Sequence, residues 1–223
     1  MQFDKSSFQF LNKLKQNNNR DWFAAHKSTF KNAQENAKGL YTSILENLEK
    51  HDEIDRFKLF RIYRDVRFSK DKTPYKCHFA GSFSRLGKHL RGGYYLRIRP
   101  GESFLAGGFW EPNKEDLFRI RKEIMHDASE IRDILSDQNY IKHFGGKFEG
   151  DELKTAPRGF DKDHKEIDLL RKKGFIAVKK FSDTEVLSSN FLEEVDLSFR
   201  ALRPFFNLFS DILTTNLNGE SII

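Results

Sequence analysis

Hydrophobic residues recur every three or four positions in four stretches of the chain, which predicts amphipathic helices. The predicted helices cover residues 4–17, 21–50, 113–136 and 190–217. Asp4 can cap the first helix, and Gly39 lies inside the second. Pro204 should break the last helix, because proline lacks an amide hydrogen and its ring clashes with the preceding turn.

From about residue 57 to 109 the pattern changes to a period of two, which is typical of β-strands. Pro100 and Gly101 supply the central residues of a type II turn, so residues 103–109 should return as a hairpin strand. A further short strand is predicted over residues 175–178. Short connections favour an antiparallel meander. Long N-terminal, middle and C-terminal helices around a central sheet indicate an α+β fold.

The chain length favours one domain over residues 1–223. A protein of this size buries roughly 70–75% of its unfolded surface, enough for one core without disulfide or metal. The 23 phenylalanines are spread along the chain, and no Pro-, Ser- or Gly-rich linker interrupts it. We therefore expect a Phe-rich interior.

Several targeting signals are missing from the sequence. The hydrophobic fraction is 38%, and no apolar run approaches the roughly 20 residues that a membrane helix needs. The first ten residues include Asp4 and no apolar segment of the secretory type. Cys77 is the single cysteine, so no disulfide framework is possible. These features predict a soluble, cytoplasmic protein without a membrane partner.

Positive charge is concentrated in one segment of the chain. The formal net charge is +6, but residues 56–100 contain 13 Lys or Arg against Asp65 and Asp71, a net +11. The remaining residues have 26 basic against 31 acidic side chains, a net −5. Such a band creates a local field that attracts anions. The alternative is that these basic side chains are simply solvated at the ends of an ordinary sheet, which would give the same charge count.

The densest polar stretch covers residues 61–76. If residues 58–68 are extended, Phe60, Ile62, Val66 and Phe68 point to one face. Arg64 interrupts this face, so it must lie at a rim, be paired or mark a bulge. Arginine and lysine suit phosphate and carboxylate. The anion-binding candidates are Arg61, Arg64, Arg67, Lys70, Lys72 and Lys76, supported by Tyr63, Asp65, Tyr75, Tyr95 and Arg97.

An internal network is the alternative explanation of this stretch. Asp65 and Asp71 could neutralise neighbouring arginines and fix the loop. Two acids do not neutralise 13 bases, so acids from elsewhere in the chain would have to take part. This imbalance favours an anion site.

Motifs along most of the chain resemble a known family. They are residues 64–76, Tyr94-Tyr-Leu, Gly107-Gly-Phe-Trp-Glu-Pro, Pro157-Arg-Gly-Phe-Asp, Asp163-His164 and Ile167-Asp-Leu-Leu. In order and rough spacing they are similar to the family called domain of unknown function 2461. The resemblance implies one α+β domain of soluble bacterial type, with no established reaction, cofactor or partner. Cys77 stands where this family pattern has Thr, which weakens any proposal that requires a hydroxyl there.

A second polar stretch covers residues 155–168. Asp163 followed by Glu166 is typical of a capping box before the apolar residues of a helix. The functional alternative is a metal site or a proton carrier at His164. The weak metal candidates are Asp161, Asp163, His164 and Asp168. Their spacing matches no defined ligand pattern, so capping is favoured and no metal or cofactor is predicted.

Three classes of function follow from these patterns. The first is binding of a phosphate- or carboxylate-bearing small molecule by the arginine-rich stretch. The second is nucleic-acid binding along a basic sheet, with tyrosines stacking on bases. Its track would be Arg85, Lys88, Arg91, Arg97 and Arg99. The third is a hydrolase or transferase that acts on an anionic substrate, with His78 or His164 moving protons. Whether the protein is an enzyme is left open.

Overall fold

The structure is a computed structural model that describes residues 1–216 and 220–223. The first helices are α1 (Lys5–Gln16), α2 (Arg20–Ala25) and α3 (Lys27–Leu48). The strands are β1 (Ile54–Leu59), β2 (Phe79–Arg85), β3 (Gly93–Ile98), β4 (Ser103–Phe109) and β5 (Phe175–Phe181). The helices between β4 and β5 are α4 (Lys114–His126), α5 (Ser129–Ser136), α6 (Gln138–Phe144) and α7 (Ile167–Leu170). After β5 follow α8 (Asp183–Val186), α9 (Phe191–Ala201) and α10 (Arg203–Thr214).

The strands form one antiparallel sheet in the order β1-β2-β3-β4-β5. The α+β prediction and the antiparallel meander are thus confirmed. The predicted turn is also present, since the Glu102 amide donates to the Arg99 carbonyl at 2.9 Å. Gly101 has φ +75°, the backbone conformation that a type II turn requires and that side chains disfavour.

The first strand differs from the prediction of an extended segment over residues 58–68. Strand β1 ends at Leu59, and residues 60–78, which we call the basic loop, leave the sheet. Ile62 is buried on the predicted apolar face, whereas Phe68 is 97% exposed. A continuous strand would place the charge of Arg64 among apolar side chains. The chain instead turns back so that Arg64 meets polar partners within the loop.

Three of the predicted helices are interrupted. The break in residues 21–50 falls at His26, whose ring Nδ1 is 2.8 Å from the Trp22 carbonyl oxygen, and not at Gly39. The break in residues 113–136 falls at positions 127–128, where the Asp127 side chain accepts from the Ser129 amide at 2.9 Å. The C-terminal break precedes α10, in whose first turn Pro204 lies, as predicted. The predicted end of that helix, Leu217, lies outside the described residues.

The chain divides into two compact units. Unit 1 contains Met1–Phe83, Tyr95–Leu105 and Lys180–Leu197, and unit 2 contains Ser84–Tyr94, Ala106–Lys179 and Ser198–Ile223. In unit 1 the rings of Phe10, Phe23 and Phe30 lie 4.9 to 6.4 Å apart. In unit 2 the rings of Phe148, Phe175, Phe205 and Phe209 form a cluster, with centroid distances of 4.7 to 6.0 Å between contacting pairs. The Phe-rich interior is confirmed within each unit, and the single domain stays a prediction.

The two faces of the sheet differ in unit 1. On one face the buried Tyr41 of α3 donates its hydroxyl to the Leu96 carbonyl at 2.9 Å and lies against Gly81. On the other face Ser82, Tyr95 and Phe104 are only partly buried. Side chains alternate between faces along a strand, so Arg97 and Arg99 share the open face with Tyr95. This face positions the candidate site.

Candidate functional site

The basic loop is an antiparallel ribbon that begins beside the sheet. The Phe60 amide donates to the Ala80 carbonyl at 2.8 Å, which extends the pairing of β1 by one residue. Further along, the Lys76 amide donates to the Ile62 carbonyl at 2.7 Å, and the Arg64 amide to the Pro74 carbonyl at 2.9 Å. Tyr63 and Tyr75 form a bridge between the two sides of the ribbon. Residues 65–73 therefore form its tip.

Asn18 fixes the ribbon from the α1–α2 connection. Its side-chain oxygen accepts from the Tyr75 amide at 3.1 Å, and its nitrogen donates to the Tyr75 carbonyl at 2.9 Å. The same nitrogen lies 3.3 Å from the sulfur of Cys77, whose pKa is raised by burial. The Tyr75 ring stacks on Phe23 at 3.9 Å. Nothing in the local sequence Asn17-Asn18-Asn19 marks this long-range pairing.

Arg64 is held inside the tip. Its guanidinium donates to Asp71 and to Thr73, and it lies 3.4 Å from the Ser69 hydroxyl. The pKa of Asp71 is lowered to about 2, first by the Thr73 backbone hydrogen bond and then by Arg64. Arg64 thus organises the loop and has little capacity left for an external anion.

Arg67 is also paired, but at the surface. Its Nε and Nη2 donate to the two oxygens of Asp65 at 3.0 and 2.7 Å. The Arg67 side chain remains 77% exposed, and exposed pairs contribute little to stability. The ion pairs that the internal-network alternative requires are present for Arg64 and Arg67.

The lysines of the tip serve different purposes. The ammonium group of Lys72 donates to the Val66 carbonyl at 3.0 Å and lies 3.4 Å from the Arg67 carbonyl oxygen, so it braces the tip. Lys70 is exposed and makes no hydrogen bond or ion pair within the described part of the chain.

A second set of cations surrounds Phe60, where the ribbon joins the sheet. The ammonium groups of Lys58 and Lys76 lie 5.4 and 5.7 Å from the Phe60 ring centroid. The Tyr95 ring lies 6.4 Å from the same ring. Arg61 is exposed, and its charge contributes to lowering the pKa of Lys76. We call Lys58, Arg61, Lys76, His78, Arg97 and Arg99 the basic face.

The carboxylate of Glu102 forms ion pairs both with Arg97 of strand β3 and with Arg99 of the turn that follows it. Arg99 lies 3.1 Å and Arg97 3.7 Å from the same oxygen of Glu102. The Arg97 guanidinium also stacks on the Phe104 ring at 4.4 Å. The Nε atoms of Arg97 and Arg99 are buried and have no hydrogen-bond partner among residues 1–216 and 220–223. The two guanidinium charges are therefore only partly compensated.

The electrostatics of the basic face appear in two pKa shifts. The pKa of His78 is lowered to about 4 by burial and by Arg97, Lys76 and Arg99. The pKa of Lys76 is lowered by burial, by Arg61 and by further cations. Burial is the first cause of both shifts, and the neighbouring cations add to it, which indicates a positive potential at this face. His78 is neutral at pH 7.

Some of the residues predicted to form a nucleic-acid track already have hydrogen-bond or ion-pair partners within the protein. In unit 2 Arg85 is buried and donates to the Arg91 carbonyl at 3.0 Å and to Asn207 at 3.0 Å. Arg91 pairs with Asp116. Lys88 is exposed in the connection that follows β2. Arg85 and Arg91 thus have structural partners, whereas Arg97 and Arg99 belong to the basic face of unit 1.

The segment around His164 has a structural explanation that differs from the predicted capping box. Helix α7 begins at Ile167, after the predicted cap Asp163. Instead the Glu166 amide donates to His164 Nδ1 at 3.1 Å, and Asp161 accepts from the Asp163 amide at 3.0 Å. The capping box is wrong, because the short helix begins four residues after Asp163 and no side chain caps it.

The carboxylates of that segment are also engaged within unit 2. Arg132 donates to Glu166 at 2.8 Å and to Asp168 at 2.6 Å. Across the residues that the structure describes, no three His, Cys, Asp or Glu side chains gather as metal ligands would. The geometry therefore adds nothing to the weak metal candidates Asp161, Asp163, His164 and Asp168.

Comparison with known proteins supplies the classification. A family model described as a conserved hypothetical protein, domain of unknown function 2461, matches residues 6–208 of the 223. The chain belongs to this family. Neither the curated proteins nor the solved structures contain a significant match. In the described residues of this family member, no helix has the length and apolarity to cross a membrane.

The site residues predicted from the sequence overlap in part with those that the structure brings together in this family member. Lys76 and Tyr95 meet around Phe60, and the charge of the exposed Arg61 contributes to lowering the pKa of Lys76 after burial, whereas Arg64 and Arg67 are engaged with acids of their own loop. Lys58, Phe60 and Asn18 were not among the candidates. A charge count signals Lys58, but only the packing reveals Phe60 and Asn18.

Proposed function

We propose that unit 1 binds a phosphate- or carboxylate-bearing small molecule at the basic face. The observation that carries the proposal is the shortage of counterions there. Of the five cationic groups, those of Lys58, Arg61, Lys76, Arg97 and Arg99, only the last two have an ion pair among the described residues, and both use the one carboxylate of Glu102. An anion would relieve their mutual repulsion and gain charge-assisted hydrogen bonds.

The surroundings of these cations favour a small, partly desolvated ligand. Phe60 and Tyr95 provide an apolar floor beside the ammonium group of Lys76, which lowers the local dielectric and strengthens ionic contacts. Tyr95 also has a hydroxyl that can donate to an anion. The enzymatic alternative gains no comparable support, since no side chain orients the His78 ring within the described residues.

Titration of His78 tests the proposal. We expect NMR to show a pKa of about 4 without ligand and a higher value in saturating inorganic phosphate, because an anion offsets the neighbouring cations. The same measurement with succinate tests the carboxylate class. A pKa that neither anion changes would contradict the proposal.

The stability of the protein should depend on pH through the same histidine. The ordinary pKa of histidine is 6.5, so between pH 6.5 and 4 the unfolded chain binds a proton that folded His78 refuses. The unfolding free energy therefore falls as the pH decreases through this window, and His78→Gln should remove that part of the slope. Phosphate should oppose the fall in the wild type.

Matched substitutions locate the site. Arg61→Gln with Lys76→Met should weaken phosphate binding and so reduce the stabilisation by phosphate, which in the wild type reaches about 2.7 kcal/mol at a hundredfold excess over the dissociation constant. Lys38→Met is the control, since Lys38 is an exposed lysine of α3 in the same unit. Equal stabilisation of all three proteins would place the anion elsewhere.

A further inference from the structure

The tip of the basic loop exposes an aromatic ring that has no structural role in the described chain. Phe68 is 97% exposed, and the Arg67 guanidinium lies 6.0 Å from its ring centroid. Burying such a side chain normally contributes about 1.5–3 kcal/mol, and here folding gains none of it. A ring presented in this way is available to a partner.

Cations flank this ring on both sides. Arg67 and Lys70 are exposed; Lys70 forms no ion pair in the described residues, and Arg67, which pairs with Asp65 through Nε and Nη2, has Nη1 left to donate to a further acceptor. The positive charge continues from the tip to Arg61 and Lys76 at the other end of the ribbon. Three residues separate Arg61 from the tip, which begins at Asp65, and four steps of extended chain span roughly 13 Å, so one small anion does not contact both ends.

A second exposed ring lies along the same ribbon. Tyr63 is 46% exposed, and its other surface is supported by Tyr75 at 5.5 Å and Phe23 at 5.9 Å. Tyr75 and Phe23 are themselves stacked, so the Tyr63 ring is held in place before any ligand arrives. Aromatic rings alternating with cations are how proteins bind single strands, because every base has a π face and every nucleotide a phosphate.

We propose that the basic loop binds single-stranded nucleic acid, with Tyr63 and Phe68 stacking on bases and Arg67 and Lys70 contacting phosphates. The bound nucleic acid would continue from the loop onto the basic face. This inference therefore rests on the proposed function for its remaining phosphate contacts. An anionic membrane is the competing partner. The loop suits a membrane less, because its tip presents one exposed ring for insertion and Val66 is half-buried. The cations also extend along the ribbon.

The test is binding of a fluorescein-labelled single-stranded oligonucleotide of 12 nucleotides, measured by anisotropy at several salt concentrations. Phe68→Ala should weaken binding roughly 5- to 150-fold, the loss expected for one stacked base, without changing the thermal unfolding midpoint. Phe118→Ala is the control, because Phe118 is an exposed ring of α4 in unit 2. The slope of log K against log salt should be about −3 if four phosphates are engaged.

Further results separate this inference from the proposed function. Arg61→Gln with Lys76→Met should weaken both the oligonucleotide and inorganic phosphate, whereas Phe68→Ala should weaken only the oligonucleotide. Phosphate binding without oligonucleotide binding would overturn the inference and leave the proposed function standing. Equal oligonucleotide affinity of Phe68→Ala and wild type would also overturn it, as would Phe68-dependent binding to phosphatidylserine vesicles with no binding to the oligonucleotide.

Discussion

Replacing Asn18 by alanine should loosen the basic loop without unfolding the protein. The substitution removes one bond to the Tyr75 amide and one to its carbonyl, at 3.1 and 2.9 Å. Each such bond contributes about 0.5–1.5 kcal/mol, so local opening should become easier by about 1–3 kcal/mol. That range corresponds to a roughly 5- to 150-fold larger population of the open loop.

Amide hydrogen exchange measured by NMR reports this opening residue by residue. The Arg64 and Lys76 amides close the ribbon, so their exchange should accelerate by the factor above. Asn17→Ala is the matched control, because among the described residues the Asn17 side chain donates only to the Lys13 carbonyl within its own helix end. If both variants exchange at wild-type rates at these amides, Asn18 does not hold the loop and this reasoning is refuted.

The remaining predictions concern stability. Gly81→Ala should cost about 1–3 kcal/mol by urea unfolding, because the new methyl would lie 2.6 Å from a Tyr41 ring carbon. Ser82→Ala, on the opposite face of β2, should stay within about 0.5 kcal/mol, and an equal loss in both variants would contradict the close approach. His164→Ala should lower the unfolding free energy by about 1 kcal/mol, since the Glu166 amide loses its acceptor, and should leave the phosphate response of His78 intact. A changed response would give His164 a part in binding.

The regular elements were predictable because their signals are local. The period of two identified β2, β3 and β4, and Pro100-Gly101 identified the turn between the last two. Helix α6 was missed, although Asp137 caps it by accepting from the Tyr140 amide at 2.9 Å. Seven residues are too few to show a hydrophobic period, so short helices such as this one depend on the packing around them.

The candidate site was predictable in composition but not in arrangement. Charge counting located the basic segment and named Arg61 and Lys76. It could not separate them from Arg64, because pairing with Asp71 depends on how the loop turns. Residues that act across a long sequence separation, such as Asn18 on Tyr75, leave no pattern in either segment.

The amino-acid order alone determined the α+β class, the strand meander and the excess of positive charge in the middle of the chain. Each of these depends on spacing or composition within a few residues. Tertiary structure decided which charges are cancelled, since a guanidinium is neutralised only by a carboxylate within hydrogen-bond reach. It also decided that Phe68 faces solvent while Ile62 is buried, because the chain leaves the sheet after Phe60 and the loop then turns back around Arg64 and its polar partners.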